Sequence, residues 1–105
     1  MNSTVYPDTI TVEVDSDVQS IVPEFLQNRK NDCRLIGSLL ERDGFGEIRT
    51  LGHRMKGAGG SYGFDDISEI GEVIELAALA ADKETISSAV LRLSEYLERV
   101  AVVYV

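Results

Sequence analysis

The sequence predicts an all-α protein, an antiparallel four-helix bundle with an extended N-terminal strap. Apolar residues recur at the spacing of amphipathic helices through four segments of the chain. Short breaks that contain glycine or aspartate separate these segments, and short connections favour antiparallel neighbours. With 105 residues, 44% of them hydrophobic, the chain is long enough for one domain with a modest core.

The N-terminal part is expected to form an arm and strap over residues 1–15, with the bundle over residues 16–105. Apolar and polar residues alternate within the strap, as they do in an extended chain: Ile10, Thr11, Val12, Glu13 and Val14. Because no second strand is evident in the sequence, we expect this segment to pack on the helices rather than in a sheet.

The first helix is predicted to begin at the N-cap cluster of residues 15–17 and to run to about Arg42. Pro23 falls within its first turns or kinks it, because proline lacks the amide donor. The second helix is predicted to begin around residues 45–46 and to end in the segment 60–63. One face of this helix is apolar or small: Ile48, Leu51, Gly52, Met55, Ala58 and Gly59.

The last two helices follow without long loops. Asp65 or Asp66 is expected to cap the third helix, and Asp82 or Lys83 to open the fourth. Apolar residues of the fourth helix step by three and four to the end of the chain: Ile86, Val90, Leu93, Leu97, Val100 and Tyr104. This spacing is typical of a helix that packs in a bundle.

Composition excludes several classes of function. A net charge of −8 argues against nucleic acid and against an anionic membrane surface. No apolar run approaches the ~20 residues of a membrane span, and no signal-peptide pattern is visible. The single cysteine, Cys33, cannot form an internal disulfide and is interpreted as a half-buried core residue. We therefore expect a cytoplasmic protein.

The segment from Arg49 to Gly63 is the most unusual part of the chain. It contains the only histidine, His53, and five of the nine glycines. Each glycine inside a helix costs roughly 1 kcal/mol relative to alanine. No acidic residue falls between Glu47 and Asp65, although the chain is acidic as a whole. A helix that sacrifices stability around one imidazole indicates a functional site.

Helical geometry places His53 away from the core. At 100° per residue, it lies roughly 150° from the centre of the apolar arc of its helix. Its neighbours on this face are Gly46, Arg49, Lys56, Gly57 and Gly60, of which three have no side chain. The imidazole is therefore expected to stand on an open surface that another protein can approach.

These residue types suit phosphoryl transfer. The reaction needs an in-line nucleophile and cations that neutralise the phosphate oxygens. Neutral imidazole offers a nitrogen lone pair, and Lys56, one turn after His53, can hold a phosphate oxygen. Gly57 lacks the β-carbon that would crowd the phosphate.

The pattern His53-x-x-Lys56-Gly57, followed by Gly63, resembles the signature of histidine-containing phosphotransfer (Hpt) domains of two-component signalling. This resemblance implies that His53 accepts a phosphoryl group from the aspartyl phosphate of a receiver domain and passes it to another receiver. Lys56 would stabilise the phosphate, Gly57 would keep the site open, and Gly63 would end the helix. The chain would be a covalent phosphohistidine carrier without kinase activity of its own.

The resemblance also implies the partners, which are response-regulator receiver domains or a hybrid histidine kinase. We expect Arg49, Gly60, Phe25 and Asn28 to contact them, although core packing is an equal alternative for Phe25. The protein is expected to need no metal or other cofactor, since any magnesium would belong to the receiver. We expect a monomer that binds neither nucleic acid nor membranes.

Two alternatives remain open at this point. The chain could be the phosphoacceptor (P1-type) domain of a chemotaxis-type histidine kinase, or a non-catalytic helical adaptor. The glycine run matches neither common nucleotide-binding loop. The acids of the third helix are interpreted as a solvated outward face, with no carboxylate pair beside His53: Asp65, Asp66, Glu69, Glu72 and Glu75.

Overall fold

Four helices account for most of residues 9–105, the part of the chain that the computed structural model describes. Two short strands flank them, and a 3₁₀ turn at Ser16–Val18 follows the first strand. Consecutive helices contact one another and the first contacts the last, which closes a bundle. The elements in chain order are β1 Ile10–Val14, α1 Val22–Glu41, α2 Phe45–Ser61, α3 Asp65–Leu79, α4 Lys83–Arg99 and β2 Val100–Tyr104.

A single hydrophobic core lies between the helices. Every helix and strand β1 contribute to it, and the apolar face predicted for α2 lies in or against it. None of the helices in the described part of the chain is long and apolar enough to cross a membrane. The largest fully buried side chains are Val14, Val22, Ile36, Leu39, Ile48, Met55, Phe64, Ile67, Ile70, Ile74, Ile86 and Leu93.

Gly63, which is predicted to end α2, follows its last residues. This glycine has φ +86°, a left-handed conformation that few other residues adopt easily. The amide of Phe64 then donates to the carbonyl of Gly59 at 2.8 Å, and that of Gly63 to Gly60 at 3.4 Å. These two bonds form a Schellman motif, which satisfies the last carbonyls of the helix and turns the chain into α3.

Helix starts were predicted with mixed success. The predicted start of the first helix was wrong, because Asp15 accepts from the amide of Asp17 at 2.9 Å and caps the 3₁₀ turn instead. α1 begins at Val22 with Pro23 in its first turn, where the missing amide does no harm. Similarly, Phe64 rather than an aspartate is the N-cap of α3. Asp82 does cap α4 through the amide of Thr85.

The predicted strap is corrected to a strand. β1 pairs in parallel with β2, with Ile10 opposite Val100 and Val14 opposite Tyr104. The fourth helix therefore ends at Arg99, five residues before the predicted end. The segment 100–104 is uncharged and rich in valine, which favours an extended chain. Its apolar spacing of four residues fits both periods, so the helical pattern was misleading.

Residues further along α2 contact residues nearer the start of α3. Gly52 lies against Glu75, whereas Gly59, further along α2, lies against Ser68. Along this one pair of helices, the contacts therefore run in opposite chain directions. The antiparallel order of the bundle and the domain boundary at residue 16 stay predictions. Residues 1–8 of the predicted arm lie outside the described residues.

Candidate functional site

Glycines bring the backbones of α2 and α3 unusually close together. A β-carbon on Gly52 would stand 2.7 Å from the backbone nitrogen of Glu75 and 2.8 Å from the carbonyl oxygen of Gly71. A β-carbon on Gly59 would stand 2.7 Å from the backbone nitrogen of Ser68. Neither distance is possible for a real side chain, so the close approach requires glycine. It allows side chains on the rims of the two helices to meet.

His53 stands on the exposed rim of this helix pair, as predicted. Its side chain is 73% exposed, and its Nδ1 atom lies 3.0 Å from Oε2 of Glu75 on α3, whose side chain is only 18% exposed. An ionised carboxylate can only accept a hydrogen bond, so Nδ1 is the donor. In the neutral ring the lone pair then lies on Nε2. The contact fixes both the tautomer and the orientation of the ring.

Lys56 lies one turn further along α2, and it too has a carboxylate partner. Its Nζ atom lies 3.1 Å from Oε1 of Glu72, and both side chains are about half exposed. The hydroxyl of Ser68 donates to the backbone carbonyl of Lys56 at 2.8 Å. The site therefore consists of two pairs, each with a nitrogen group on α2 and a carboxylate on α3.

The interpretation of the α3 acids as only a solvated outward face was wrong for two of them. Glu72 and Glu75 do not merely solvate α3, because they contact Lys56 and His53. The sequence did contain a signal. The two glutamates are spaced by three residues, as are His53 and Lys56, and Gly71 lies beside them. Without the pairing of α2 with α3, that signal could not be recognised.

The surface around His53 is bare, as the sequence indicated. In the described part of the chain, nothing lies within 4 Å of a β-carbon built on Gly46 or Gly57. One built on Gly60 would meet only the Ser68 hydroxyl, at 3.6 Å. A shallow depression beside the imidazole is lined by Gly46, Arg49, Thr50, His53 and Glu75. The predicted docking residue Arg49 is thus adjacent to His53.

The other two predicted docking residues, Phe25 and Asn28, lie elsewhere. Both line a groove between α1 and the end of α2, together with Tyr62. Phe25 is buried and stacks on Phe64, with ring centroids 5.4 Å apart. Tyr62 meets its ring edge-on at 5.1 Å. Phe25 is therefore a core residue, and its docking role stays a prediction, as does that of the exposed Asn28.

Metal ligands are not gathered anywhere in residues 9–105: no group of three or more His, Cys, Asp or Glu side chains could hold an ion. Cys33 packs against the core as a half-buried residue, as predicted, and burial raises the pKa of its thiol. A raised pKa keeps a thiol protonated and unreactive. Neither observation provides a further reactive group beside His53 and Lys56.

Comparison with protein families decides the relationship. The Hpt domain family matches residues 20–102, which is most of the chain. The chain belongs to the Hpt domain family. Hpt domains carry out phosphotransfer in two-component signalling, where they work with response-regulator receivers and histidine kinases. No curated protein and no solved structure shows a significant match to the chain.

Proposed function

We propose that this Hpt domain is a phosphorelay intermediate in which His53 carries the phosphoryl group. The observation that carries the proposal is the exposed imidazole whose Nδ1 is bound by Glu75, which leaves Nε2 as the free nucleophile. An exposed histidine without a function has no need of a fixed tautomer. Here the fixed ring directs its lone pair away from α3 and towards an approaching protein.

The transfer balances without any further reagent. The Nε2 lone pair attacks the phosphorus of a receiver's aspartyl phosphate, and a bond from nitrogen to phosphorus forms as the bond from phosphorus to oxygen breaks. The aspartate leaves as a carboxylate with the electron pair of that bond. The imidazole ring keeps its Nδ1 proton and becomes cationic, and Glu75 stabilises this charge. Reversal of the same step on a second receiver passes the phosphoryl group onward.

Lys56 and Gly57 complete the site in this proposal. The ammonium group of Lys56 neutralises a phosphoryl oxygen, while the open space over Gly57 leaves room for the phosphate and for the receiver. Replacement of Lys56 by alanine is expected to slow transfer while the helical content stays unchanged. Circular dichroism beside the rate of transfer checks this, and an unchanged rate would remove Lys56 from the mechanism.

Receiver domains would dock over the face around His53. Arg49 and Gly60 belong to this face. Asn28 and the buried Phe25 line a different groove, beside Tyr62, and their contact with a receiver would require docking to extend over that groove. Magnesium would be supplied by the receiver, so the carrier itself needs no cofactor. We further propose that the protein acts as a monomer in the cytoplasm, because transient docking on an exposed polar face requires no second copy.

The test is transfer of radiolabelled phosphate from a panel of phosphorylated receiver domains. The wild-type protein is expected to take up label that is stable to alkali and labile to acid. The variant His53→Gln, which keeps the size and polarity of the side chain, is expected to take up none. Label on the variant would show that another residue is the acceptor.

The same experiment separates the alternatives. If every receiver fails but an ATP-fed kinase domain labels His53, the protein is a phosphoacceptor domain of the chemotaxis type. If no donor labels the protein, the proposed carrier function is wrong and a helical adaptor is the better description.

A further inference from the structure

In the proposed function Lys56 neutralises the phosphoryl group, but Lys56 already pairs with a carboxylate. In the structure, Nζ of Lys56 lies 3.1 Å from Oε1 of Glu72. The two side chains are 44% and 51% exposed. A phosphoryl group that arrives on His53 must therefore compete with Glu72 for this ammonium group.

Helix geometry holds the competitor in place. Glu72 and Glu75 are three residues apart on α3, and Lys56 and His53 are three residues apart on α2, so that each pair faces across the same gap. Gly71 sets that gap, because a β-carbon there would stand 2.5 Å from the backbone nitrogen of Lys56. The backbone of Lys56 is thus fixed against α3 directly beside Glu72.

We propose that Glu72 is a positioning residue that acts through Lys56 and lowers the stability of phosphorylated His53. The inference rests on the proposed function and concerns the regulation of that site. When His53 carries a phosphoryl group, the ammonium of Lys56 is shared between the phosphoryl oxygens and the Glu72 carboxylate. The transfer equilibrium is thereby kept in favour of the receivers, which suits a carrier that must release its phosphoryl group.

The expected size of this effect follows from the exposure of the pair. Ion pairs between exposed side chains shift equilibria by up to about fivefold, since solvent and salt screen them. Glu72 is therefore expected to adjust the transfer equilibrium without abolishing transfer.

The test is the variant Glu72→Gln, mixed with a phosphorylated receiver and followed to equilibrium. We expect the ratio of phosphorylated to free His53 to rise by about twofold to fivefold. Glu69→Gln is the matched control. It removes the same charge from α3, but Glu69 pairs with Arg92 on α4 at 3.0 Å instead of with Lys56. An equal shift in both variants would reduce the effect to net charge and overturn the inference.

A double-mutant cycle with Lys56→Ala tests whether the effect passes through the lysine. In the Lys56→Ala background, Glu72→Gln is expected to change the equilibrium by less than about 1.5-fold, because the ammonium group that Glu72 holds is gone. A full shift in that background would show that Glu72 acts by direct repulsion, against the inference. If His53 takes up label but Glu72→Gln does not shift the transfer equilibrium, this inference is wrong and the proposed function stands. The absence of label on the wild-type protein would overturn the proposed function and the inference with it.

Discussion

The two sides of α2 use glycine for opposite reasons. On the side towards α3, Gly52 and Gly59 are buried, and each lies where a β-carbon would collide with the backbone of α3. On the side towards solvent, Gly46 and Gly57 have nothing within 4 Å of such a carbon. The first group permits packing, whereas the second leaves the surface near His53 open.

This difference explains why one helix tolerates so many unfavourable residues. The sequence placed Gly57 on the open face beside the imidazole and Gly52 on the apolar face, and the structure places both as the spacing indicated. The buried glycines act indirectly: by bringing α3 close, they place the Glu75 carboxylate within 3.0 Å of His53. The packed side of the helix therefore orients the histidine, and the open side exposes it.

Breaking the packed side is expected to have the largest effect on stability. Gly71→Ala places a β-carbon 2.5 Å from the backbone nitrogen of Lys56 and 2.7 Å from the carbonyl oxygen of Gly52. Because backbone cannot rotate away as a side chain can, we expect the free energy of unfolding to fall by about 1–3 kcal/mol. Urea unfolding measures this. Unchanged stability would mean that the two helices are not held together at these glycines.

Glu75→Gln tests whether the carboxylate that α3 places beside His53 supports transfer. The amide keeps the size of the side chain but loses the negative charge that stabilises a cationic imidazole. We expect transfer to His53 to slow by about tenfold, equivalent to about 1.4 kcal/mol in the barrier, with little change in stability. Stopped-flow measurement of transfer, beside urea unfolding, checks both parts. A rate equal to that of the wild type would show that the ring needs no anionic partner.

On the solvent-facing side of α2, an added side chain is expected to raise stability instead of lowering it. Gly57→Ala meets no neighbouring atom, so it should raise the free energy of unfolding by about 0.5–1 kcal/mol through helix propensity. The added methyl group beside His53 should nevertheless slow transfer.

Gly37→Ala on α1 is the matched control for this prediction. Gly37 is exposed within a helix and also has nothing within 4 Å of a β-carbon. It should gain the same stability and leave transfer unchanged. If both variants transfer normally, the bare surface at Gly57 has no role in the reaction.

Tyr96 extends the comparison to a polar group on the packed side of the bundle, with the smallest expected effect. Its ring is buried, and its hydroxyl has no hydrogen-bond partner among residues 9–105. Burial, with Asp66 and Asp65 nearby, raises the pKa of Tyr96 to about 12, above the ordinary value near 10. Its neutral form is thus favoured by folding, and this contribution is lost as the pH rises from about 10 to about 12.

Tyr96→Phe should therefore match or exceed wild-type stability at pH 7, by at most about 1 kcal/mol, because it removes an unpaired hydroxyl. Above about pH 10 the variant should lose less stability than the wild type. Urea unfolding at a series of alkaline pH values measures the difference. A parallel decline in both proteins would show that folding does not raise the pKa of Tyr96.

The sequence alone determined the features that depend on local spacing. The four helices, the end of α2 at Gly63 and the outward direction of His53 follow from periodicities and turn preferences within one segment. The motif of His53, Lys56 and Gly57 is equally local, and it is sufficient to indicate the family.

The tertiary structure alone decided the contacts between segments distant in the chain. β1 and β2 lie about ninety residues apart, and nothing in either segment indicates that the other is its partner. The sequence therefore predicts a strap and a helix end where the structure has two paired strands. Likewise, Glu72 and Glu75 were assigned to solvent until the packing of α2 on α3 placed them at Lys56 and His53. Periodicity shows which face of a helix is buried, but it does not show which side chains lie across that face. Those contacts depend on the distance at which two backbones pack, and in this protein glycines set that distance between α2 and α3.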